Sequence, residues 1–412
     1  MKNTIKSTFV LALLVLPFAY SLNAQTAENT GQIKEEYHLS KGLKFNLNNG
    51  AYQFGIGGLI QPSIQVNRDT AGANKFGLNS YRTFFNLSGK ALKEKVSFFV
   101  QTDFNLTSPL MDAWVAYQAA PFLKITLGQQ LTFANNREMA LMEGNLQFLN
   151  RSLLSRQYAN TGREFGLYVN ANFKIKNMVF EPGIAITSGD GRNSFGASPT
   201  DFDLGGFKYA GRLDWYPFGK FSDPNNILVA DITAEEKFKL VLGAAASVNR
   251  GASDMHGEGH GNFLMYNPQG KLQLPDYRKL YFDALAKYKG FSLLGEYVVA
   301  TGKVSQGTFR DVTGLNRLNP GEISEFLALG SGINTQLGYV FKKSIGVDMR
   351  YAFVSGEFAN NAKSLVEQKS ELALGLTKYI NKNNLKINTS IAQINTSTNS
   401  TLFASFWVQL MF

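Results

Sequence analysis

The sequence predicts an all-β fold, a transmembrane antiparallel β-barrel of about sixteen strands, and three observations carry this prediction. The final residues, TLFASFWVQLMF, are apolar at every second position counted back from Phe412 to Leu402. The chain begins with the pattern of an export signal, and two-faced segments of similar length recur through the rest of it. A strand needs such a row of apolar side chains when one of its faces lies in lipid.

Residues 1–24 are predicted to be a secretory signal peptide. A basic start is followed by a mostly apolar stretch, and Ala24 supplies a small residue before the expected cleavage site. The alternative is an N-terminal membrane anchor, but the apolar stretch is short and Pro17 interrupts it. The rest of the chain then divides into a polar leader, expected to be poorly ordered, and the barrel domain: residues 25–41 and residues 42–412.

The composition restricts how the mature chain could cross a membrane. The long charge-free stretches after the N-terminus, 45–67 and 387–412, are interrupted by many Asn, Gln, Ser and Thr residues and do not resemble transmembrane helices. A spanning chain must therefore form a closed barrel that satisfies its own backbone groups. The chain contains 39 Gly, 33 Phe and 17 Tyr, which suits many turns and an aromatic outer wall. Cysteine is absent and the net charge is +10. Export argues against nucleic acid as the partner and leaves anionic solutes or surfaces.

Sixteen candidate strands follow a short hairpin, GLKFNLNNGAYQF, whose turn contains Gly50. Many of them alternate clearly: in 344–356, for example, Val347 and Met349 lie on one face while Asp348 and Arg350 lie on the other. The strands are expected near 51–67, 79–91, 94–107, 110–118, 122–130, 164–173, 177–188, 206–216, 238–249, 280–289, 291–303, 330–341, 344–356, 367–380, 385–395 and 401–412.

The connections between these strands alternate between short and long, as short periplasmic turns and longer external loops would. The third external connection is residues 131–163. One connection breaks the alternation, because 217–237 is long where a turn is expected. An extra hairpin there would change the strand count by two.

The final strand is informative for its place in the chain. Its second face mixes Gln409 and Ser405 with Trp407, so the alternation alone leaves its orientation ambiguous. A whole amphipathic strand ending on Phe412 resembles the terminal signature of bacterial outer-membrane barrels. The outer membrane is therefore the predicted location, with its lipid as one partner.

Several segments resemble the phosphate-selective porin O and P family. MDAWVAYQAAPFLKITLGQQ, residues 111–130, resembles that family's fourth and fifth strands, and GAYQFGIGGLIQPSIQV resembles its first. RLDWYPFG and LLGEYVVATG resemble later strands. The resemblance implies a sixteen-stranded, water-filled barrel, usually a homotrimer, that passes small anions. It also implies that the third external loop folds into the barrel and narrows it.

The loop 131–163 contains apolar residues that could pack against the inner wall, and four arginines against two glutamates. A guanidinium stays charged and fits phosphate or carboxylate oxygens in bidentate fashion, and cations at a constriction favour anions. Arg151 and Arg156 are the first candidates for the constriction. The other candidates for the anion pathway are Arg137 and Arg163 in the loop, and Arg82, Lys124, Arg212 and Arg350 on the wall.

The alternative for these cations is that they pair with wall carboxylates such as Asp103, Asp112 and Glu164 and only hold the loop in place. By alternation, nine basic and nine acidic residues of the strands face inward. The resemblance implies a ladder of arginines leading to the constriction, and no motif in this sequence identifies its positions. We expect passive diffusion of small hydrophilic solutes with an anion preference. Phosphate selectivity, a general non-selective channel and an exported β-rich surface binding protein remain open.

Neither a metal site nor an enzyme is predicted. The loop DMHGEGHG, residues 254–261, could supply His256, Glu258 and His260 to a metal, but its glycines favour a flexible loop, and no metal or other cofactor is predicted. The chain has only one further histidine, His38, and no nucleophile or phosphate-loop motif, so no enzyme is expected.

Overall fold

The structure, a computed structural model, describes residues 34–38, 42–48, 50–70, 72–189, 191–192, 204–257, 261–304, 307–358 and 360–412. The predicted signal peptide, residues 1–24, lies outside the described residues, as does most of the predicted leader.

The described chain is mostly strand, with short helical turns in its connections. The strands are β1 Lys34–His38, β2 Gly42–Leu47, β3 Tyr52–Arg68, β4 Asn74–Ala91, β5 Val96–Asp103, β6 Leu110–Ala120, β7 Leu123–Leu131, β8 Arg163–Ala171, β9 Phe173–Ile175, β10 Met178–Thr187, β11 Lys208–Tyr216, β12 Lys239–Asn249, β13 Asp276–Tyr288, β14 Phe291–Lys303, β15 Gly330–Phe341, β16 Ile345–Gly356, β17 Lys369–Asn381, β18 Leu385–Thr396 and β19 Ser400–Met411. The helices are α1 Arg137–Ala140 and α2 Leu153–Tyr158, with 3-10 turns at Glu143–Asn145, Asn225–Ile227 and Pro320–Glu325.

Strands β3 to β19 form a closed antiparallel barrel. Each strand pairs with the next along the chain, and β19 pairs back with β3 from Leu402 opposite Arg68 to Met411 opposite Leu59. β8 and β9 both pair with β10 and together make one strand of the wall, so the barrel has the sixteen strands that the sequence predicts. Closure satisfies the backbone groups that lipid cannot.

The predicted strand positions are confirmed, with shifts at a few ends. β4 begins at Asn74, earlier than predicted, because its first residues pair with the end of β3. β5 ends at Asp103, earlier than predicted, where the Asp103 carboxylate accepts hydrogen bonds from the backbone N–H groups of Thr83 and Asn105. The hairpin suggested for 217–237 is not formed, since that connection contains a single 3-10 turn and no strand.

Two strands lie before the barrel wall. β2 pairs with the first residues of β3, which confirms the predicted hairpin. β1 pairs with β2 from Lys34 opposite Asn46 to His38 opposite Gly42, although the leader was expected to be poorly ordered. The sequence KEEYH has no alternation of apolar and polar residues, so its pairing depends on the neighbouring strand and not on a local pattern.

The wall is apolar outside and polar inside. On β16, Val347, Met349 and Tyr351 are exposed to the surroundings, while Asp348 and Arg350 are buried in the interior. β19 shows the same division, with Phe406 outside and Gln409 inside. The alternation predicted from the sequence is thereby confirmed: the apolar rows face outward and the charged rows face the lumen.

One end of the barrel has short turns, apart from the long connection 217–238, and the other end has the remaining long connections. The short-turn end also holds β2, the start of β3 and the end of β19, and it corresponds to the periplasmic side of such barrels. No helix among the described residues is long and apolar enough to cross a membrane.

Part of the interior is filled by external connections. Helix α2 and the connections after β12, β14 and β16 form a buried apolar cluster against the inner face of β12 to β16. Tyr277 and Tyr281 of β13 are fully buried beneath this cluster, together with Leu154 of α2. The external half of the lumen, along β12 to β16, is therefore packed with side chains.

Candidate functional site

The connection between β7 and β8, residues 132–162, is called loop 3 here, and it crosses the lumen. Most of its side chains are buried, and the predicted inward fold of the third external loop is confirmed. Ser152 begins α2 by accepting a hydrogen bond from the Ser155 backbone N–H. Glu138 fixes the same turn, because its Oε2 accepts from Ser152 Oγ at 2.6 Å and from Ser155 Oγ at 2.5 Å.

The first of three charge clusters ties loop 3 to β6 and β8. Arg163, the first residue of β8, is fully buried and donates to Glu143 at 2.6 and 3.0 Å and to Asp112 at 3.0 Å. Arg151 donates to Glu143 at 3.1 Å and to the carbonyls of Glu138 and Leu141. Both arginines hold loop 3 in position here.

Burial raises the pKa of the Glu143 carboxyl, but the charges of Arg163 and Arg151 outweigh it and hold this pKa well below its ordinary value. Arg82 of β4 lies beside the same group, buried, and donates to Gln61 Oε1 at 2.9 Å. The cluster thus keeps Glu143 ionised between three guanidinium groups.

The second cluster joins α1 to β11 and β13. Arg137 donates to Asp283 Oδ1 at 2.6 Å and to Asp214 Oδ1 at 2.7 Å. Arg212 of β11 bonds to the same two carboxylates, at 2.7 Å to Asp283 and 3.0 Å to Asp214, and donates to the carbonyl of Asn135. Two guanidiniums and two carboxylates compensate one another here.

The third cluster joins α2 to β16 and β17. Arg350 and Arg156 share the carboxylate of Glu371: Arg350 Nε reaches Oε1 at 2.9 Å, and Arg156 Nη2 reaches Oε2 at 2.9 Å. Arg350 also donates to Glu138 at 3.3 Å, while the Glu138 backbone N–H donates to Glu296 at 2.7 Å. Arg350 is buried, whereas the side chain of Arg156 is 42% exposed.

The middle of loop 3 is anchored by neutral groups and one lysine. Gln409 Nε2 donates to the Gly144 carbonyl at 3.0 Å, and Asn383 Nδ2 donates to the same carbonyl at 2.9 Å. Lys386 Nζ donates to the Leu146 carbonyl at 2.8 Å. These contacts carry the loop to β18 and β19, across the barrel from its own strands.

A cavity of about 250 Å³ remains between loop 3 and the wall formed by β17, β18, β19 and β3. Its charged lining residues are Arg156, Arg350 and Glu371, so two cations face one anion. The rest of the lining is amide, hydroxyl and apolar: Asn67, Phe148, Leu149, Asn150, Ser390, Ala392, Ile394, Thr401 and Phe403. The cavity is therefore lined by a mixture of polar, charged and apolar side chains.

The structure brings seven of the eight candidate cations to loop 3 or the wall beside it, within the three clusters above. Lys124 is the exception, since its Nζ lies 4.9 Å from the ring centre of Trp114 on β6, near the short-turn end. Arg163 pairs with Asp112, a wall carboxylate, as the alternative role for these cations predicts. Glu164 instead pairs with Lys208, and Asp103 binds backbone N–H groups.

Several residues that line the cavity are not among the candidates predicted from the sequence. Asn67 faces inward on β3, and strand alternation could have identified it. Phe148 and Asn150 lie in loop 3, where no local pattern marks which side chains face the cavity. Lys279 does not line the cavity, but it is a further inward-facing cation absent from the predicted strand 280–289. In the structure it is buried and donates to the carbonyls of Tyr158 and His256.

The possible metal loop is only partly described. Among the described residues, no group of three or more His, Asp or Glu side chains is placed to hold a metal ion. His256 Nδ1 lies 3.8 Å from Asp254 Oδ1. Glu258 and His260 lie outside the described residues.

A larger groove, of about 650 Å³, lies on the outer wall of β11 to β15. Outward-facing Leu213, Phe282 and Tyr297 surround the small residues Ala244 and Ala284 there. This groove faces lipid and is separated from the solute path by the barrel wall.

Solved structures similar to this chain are outer-membrane channels. An anion-selective porin from Comamonas acidovorans matches with a TM-score of 0.52 and 11% identity, over 88% of this chain and 100% of that chain. The outer membrane channel DcaP of Acinetobacter baumannii matches with a TM-score of 0.55 and 10% identity, over 90% of this chain and 100% of that chain. Salmonella typhi OmpF in complex with daunomycin matches with a TM-score of 0.54 and 11% identity, over 92% of this chain and 100% of that chain.

No protein-family model and no curated protein matches this sequence. At identities of 10–11%, the likeness to these structures shows a shared barrel fold. The phosphate-selective O and P family itself stays a prediction. The closed sixteen-stranded barrel with its apolar exterior places the chain in the bacterial outer membrane, as predicted.

Proposed function

We propose that this chain is a porin through which small hydrophilic solutes diffuse passively, with a preference for anions and with phosphate among its solutes. The closed barrel supplies a rigid wall, and the polar interior keeps water against it. Loop 3 supplies the constriction, because its contacts reach strands on every side of the lumen. Solutes would move down their own concentration gradients, without an energy source.

The exposed guanidinium of Arg156 is the observation that supports an anion preference. Its side chain is 42% exposed beside the cavity, although one of its nitrogens binds Glu371. Arg350, behind it, adds a second positive charge to the same lining. A passing anion would meet the exposed charge of Arg156 in a confined space, where screening by salt is weaker than at the surface.

A general, non-selective channel is the second candidate. Its supporting observation is the charge compensation of the clusters, since Arg137 and Arg212 are matched by Asp214 and Asp283. Such a lumen would discriminate by size and polarity more than by sign.

A planar-bilayer recording in a salt gradient decides between these candidates. A reversal potential on the anion side, together with block of the chloride current by added phosphate, would support the anion channel. A reversal potential near zero and no phosphate block would leave the general channel. A protein that forms no channel at all under these conditions would refute both.

The proposal includes three features that follow from the sequence and its resemblance: removal of residues 1–24, a barrel domain that begins near residue 42, and assembly into a homotrimer. The mass of the mature chain tests the cleavage after Ala24. Crosslinking in outer-membrane fragments tests the trimer, and a ladder that stops at the dimer or monomer would refute it.

A further inference from the structure

The connection between β11 and β12, residues 217–238, folds into the barrel from the short-turn end and is called the periplasmic segment here. Connections at this end of a barrel usually consist of a few residues. In this segment the side chains from Leu228 to Asp231 are each 4% exposed or less, and Asn225 is fully buried. The segment therefore lies inside the lumen, surrounded by the barrel wall, and does not hang below the barrel.

Apolar side chains hold the segment against the inner wall. Phe221 and Val229 belong to a buried cluster formed with inward-facing residues of five successive strands: Val179, Tyr216, Val241, Leu285 and Leu294. Leu141 of loop 3 packs against the same cluster. Loop 3, entering from the external side, and the periplasmic segment, entering from the other, therefore meet inside the barrel.

Lys287 fixes the backbone of the segment. Its Nζ, on the inner face of β13, donates to the carbonyls of Asn225 at 2.7 Å, Leu228 at 2.8 Å and Ala230 at 3.0 Å. The residue is 1% exposed. An ammonium has three donors, so all of them are used here and none remains for a solute.

Two carboxylates also hold the segment, one by a bond to the barrel and one by bonds within the segment. Asp231 accepts from the Gly290 backbone N–H at 2.8 Å, which links the segment to the turn between β13 and β14. Glu235 accepts from Ser222 Oγ at 2.7 Å and from Asn225 Nδ2 at 3.1 Å. Burial raises the pKa of Glu235, but the hydrogen bonds from Ser222 and Asn225 outweigh it and hold this pKa below its ordinary value.

We propose that the periplasmic segment is a second constriction of this porin, which limits solute size from the periplasmic side, with Lys287 as its positioning residue. This inference rests on the proposed channel function. Because the segment and loop 3 together occupy the lumen along β10 to β14, solutes are confined to the remaining sector of the barrel. The segment thus narrows the pore independently of the cations of loop 3.

Single-channel conductance tests the constriction. Replacing Lys287→Met removes the three hydrogen bonds while keeping most of the side-chain volume, and we expect conductance to rise and to fluctuate more. Replacing residues 218–237 with an Asn-Gly turn should raise conductance by at least about twofold. Lys289→Met is the matched control, because it removes the same charge from an exposed side chain of the neighbouring turn. Unchanged conductance in both test variants would overturn the proposal.

Thiol labelling tests the position of the segment without using conductance. The chain has no cysteine, so a single introduced one is the only reactive thiol. In the detergent-solubilised protein, Ala230→Cys should react much more slowly with a charged maleimide than Asn226→Cys, whose side chain is exposed. Equal rates would overturn the inserted position. If the unaltered protein conducts no ions, the proposed function fails, while the labelling rates still decide where the segment lies.

Discussion

Arg163 and Glu143 form a buried bidentate pair, at 2.6 and 3.0 Å, that joins the first residue of β8 to the middle of loop 3. Asp112 on β6 binds the same guanidinium at 3.0 Å. A pair of this geometry holds loop 3 against one wall, while Gln409 and Asn383 hold it against the other. Loop 3 is therefore fixed on both sides of the lumen.

Replacing Arg163→Met should destabilise the folded barrel by about 3–5 kcal/mol, because it leaves Glu143 and Asp112 buried with less compensating charge. The temperature at which the protein loses its heat-modifiable migration on a gel measures this loss. Arg250→Met removes a guanidinium that is largely exposed at the rim and serves as the control. Equal melting of the two variants would contradict the role assigned to Arg163.

Acid should weaken the attachment of loop 3 in a defined pH range. The folded-state pKa of Glu143 is lowered from its ordinary value of 4.5, so its contribution to stability is fully present above that pH and is lost as pH falls through the folded pKa. The stability difference between the unaltered protein and Glu143→Gln should be constant from about pH 6 to 8 and shrink below about pH 4. A difference that grows toward acid pH would contradict this sign.

Replacing Arg156→Glu should move the reversal potential in a salt gradient toward cation preference, because it inverts the exposed charge beside the cavity. Arg151→Glu would also invert a charge, but that side chain is buried among three acceptors and its loss would disturb loop 3. Arg250→Glu makes the same charge change at the rim. A reversal potential that responds equally to the Arg156 and Arg250 variants would remove Arg156 from the solute path.

Ser390→Phe should lower single-channel conductance by about half, because the new ring would occupy much of a cavity of about 250 Å³. Thr389→Phe places the same ring on the outward face of the same strand and should leave conductance unchanged. Equal conductance in the two variants would show that solutes pass elsewhere.

The barrel could be predicted because its pattern is local. In β16, the alternation of Val347 and Met349 with Asp348 and Arg350 identifies both the strand and its two faces, without knowledge of any neighbour. The same rule placed the inward charges Asp112, Glu371 and Arg212 correctly. Loop 3 could be located by counting connections.

The partners of those charges could not be predicted, because they lie far apart in the sequence. Arg156 shares Glu371 with Arg350, and the sequence contains no signal for that choice among many carboxylates. For the periplasmic segment, the sequence suggests only a possible hairpin. Its inserted position depends on Lys287 and on an apolar cluster drawn from five strands, which local patterns do not reveal.

The pairing of β2 with β3 covers a strand edge that would otherwise be exposed. Phe412 exchanges backbone hydrogen bonds with Gly58, so β19 stops partway along β3 and leaves the stretch from Tyr52 to Ile56 without it. β2 supplies the missing partner there, from Leu47 opposite Tyr52 to Leu43 opposite Ile56. A bare edge of that length would be a template for strand exchange between molecules. The hairpin thus covers the edge of β3 beside the join between the first and last strands of the barrel.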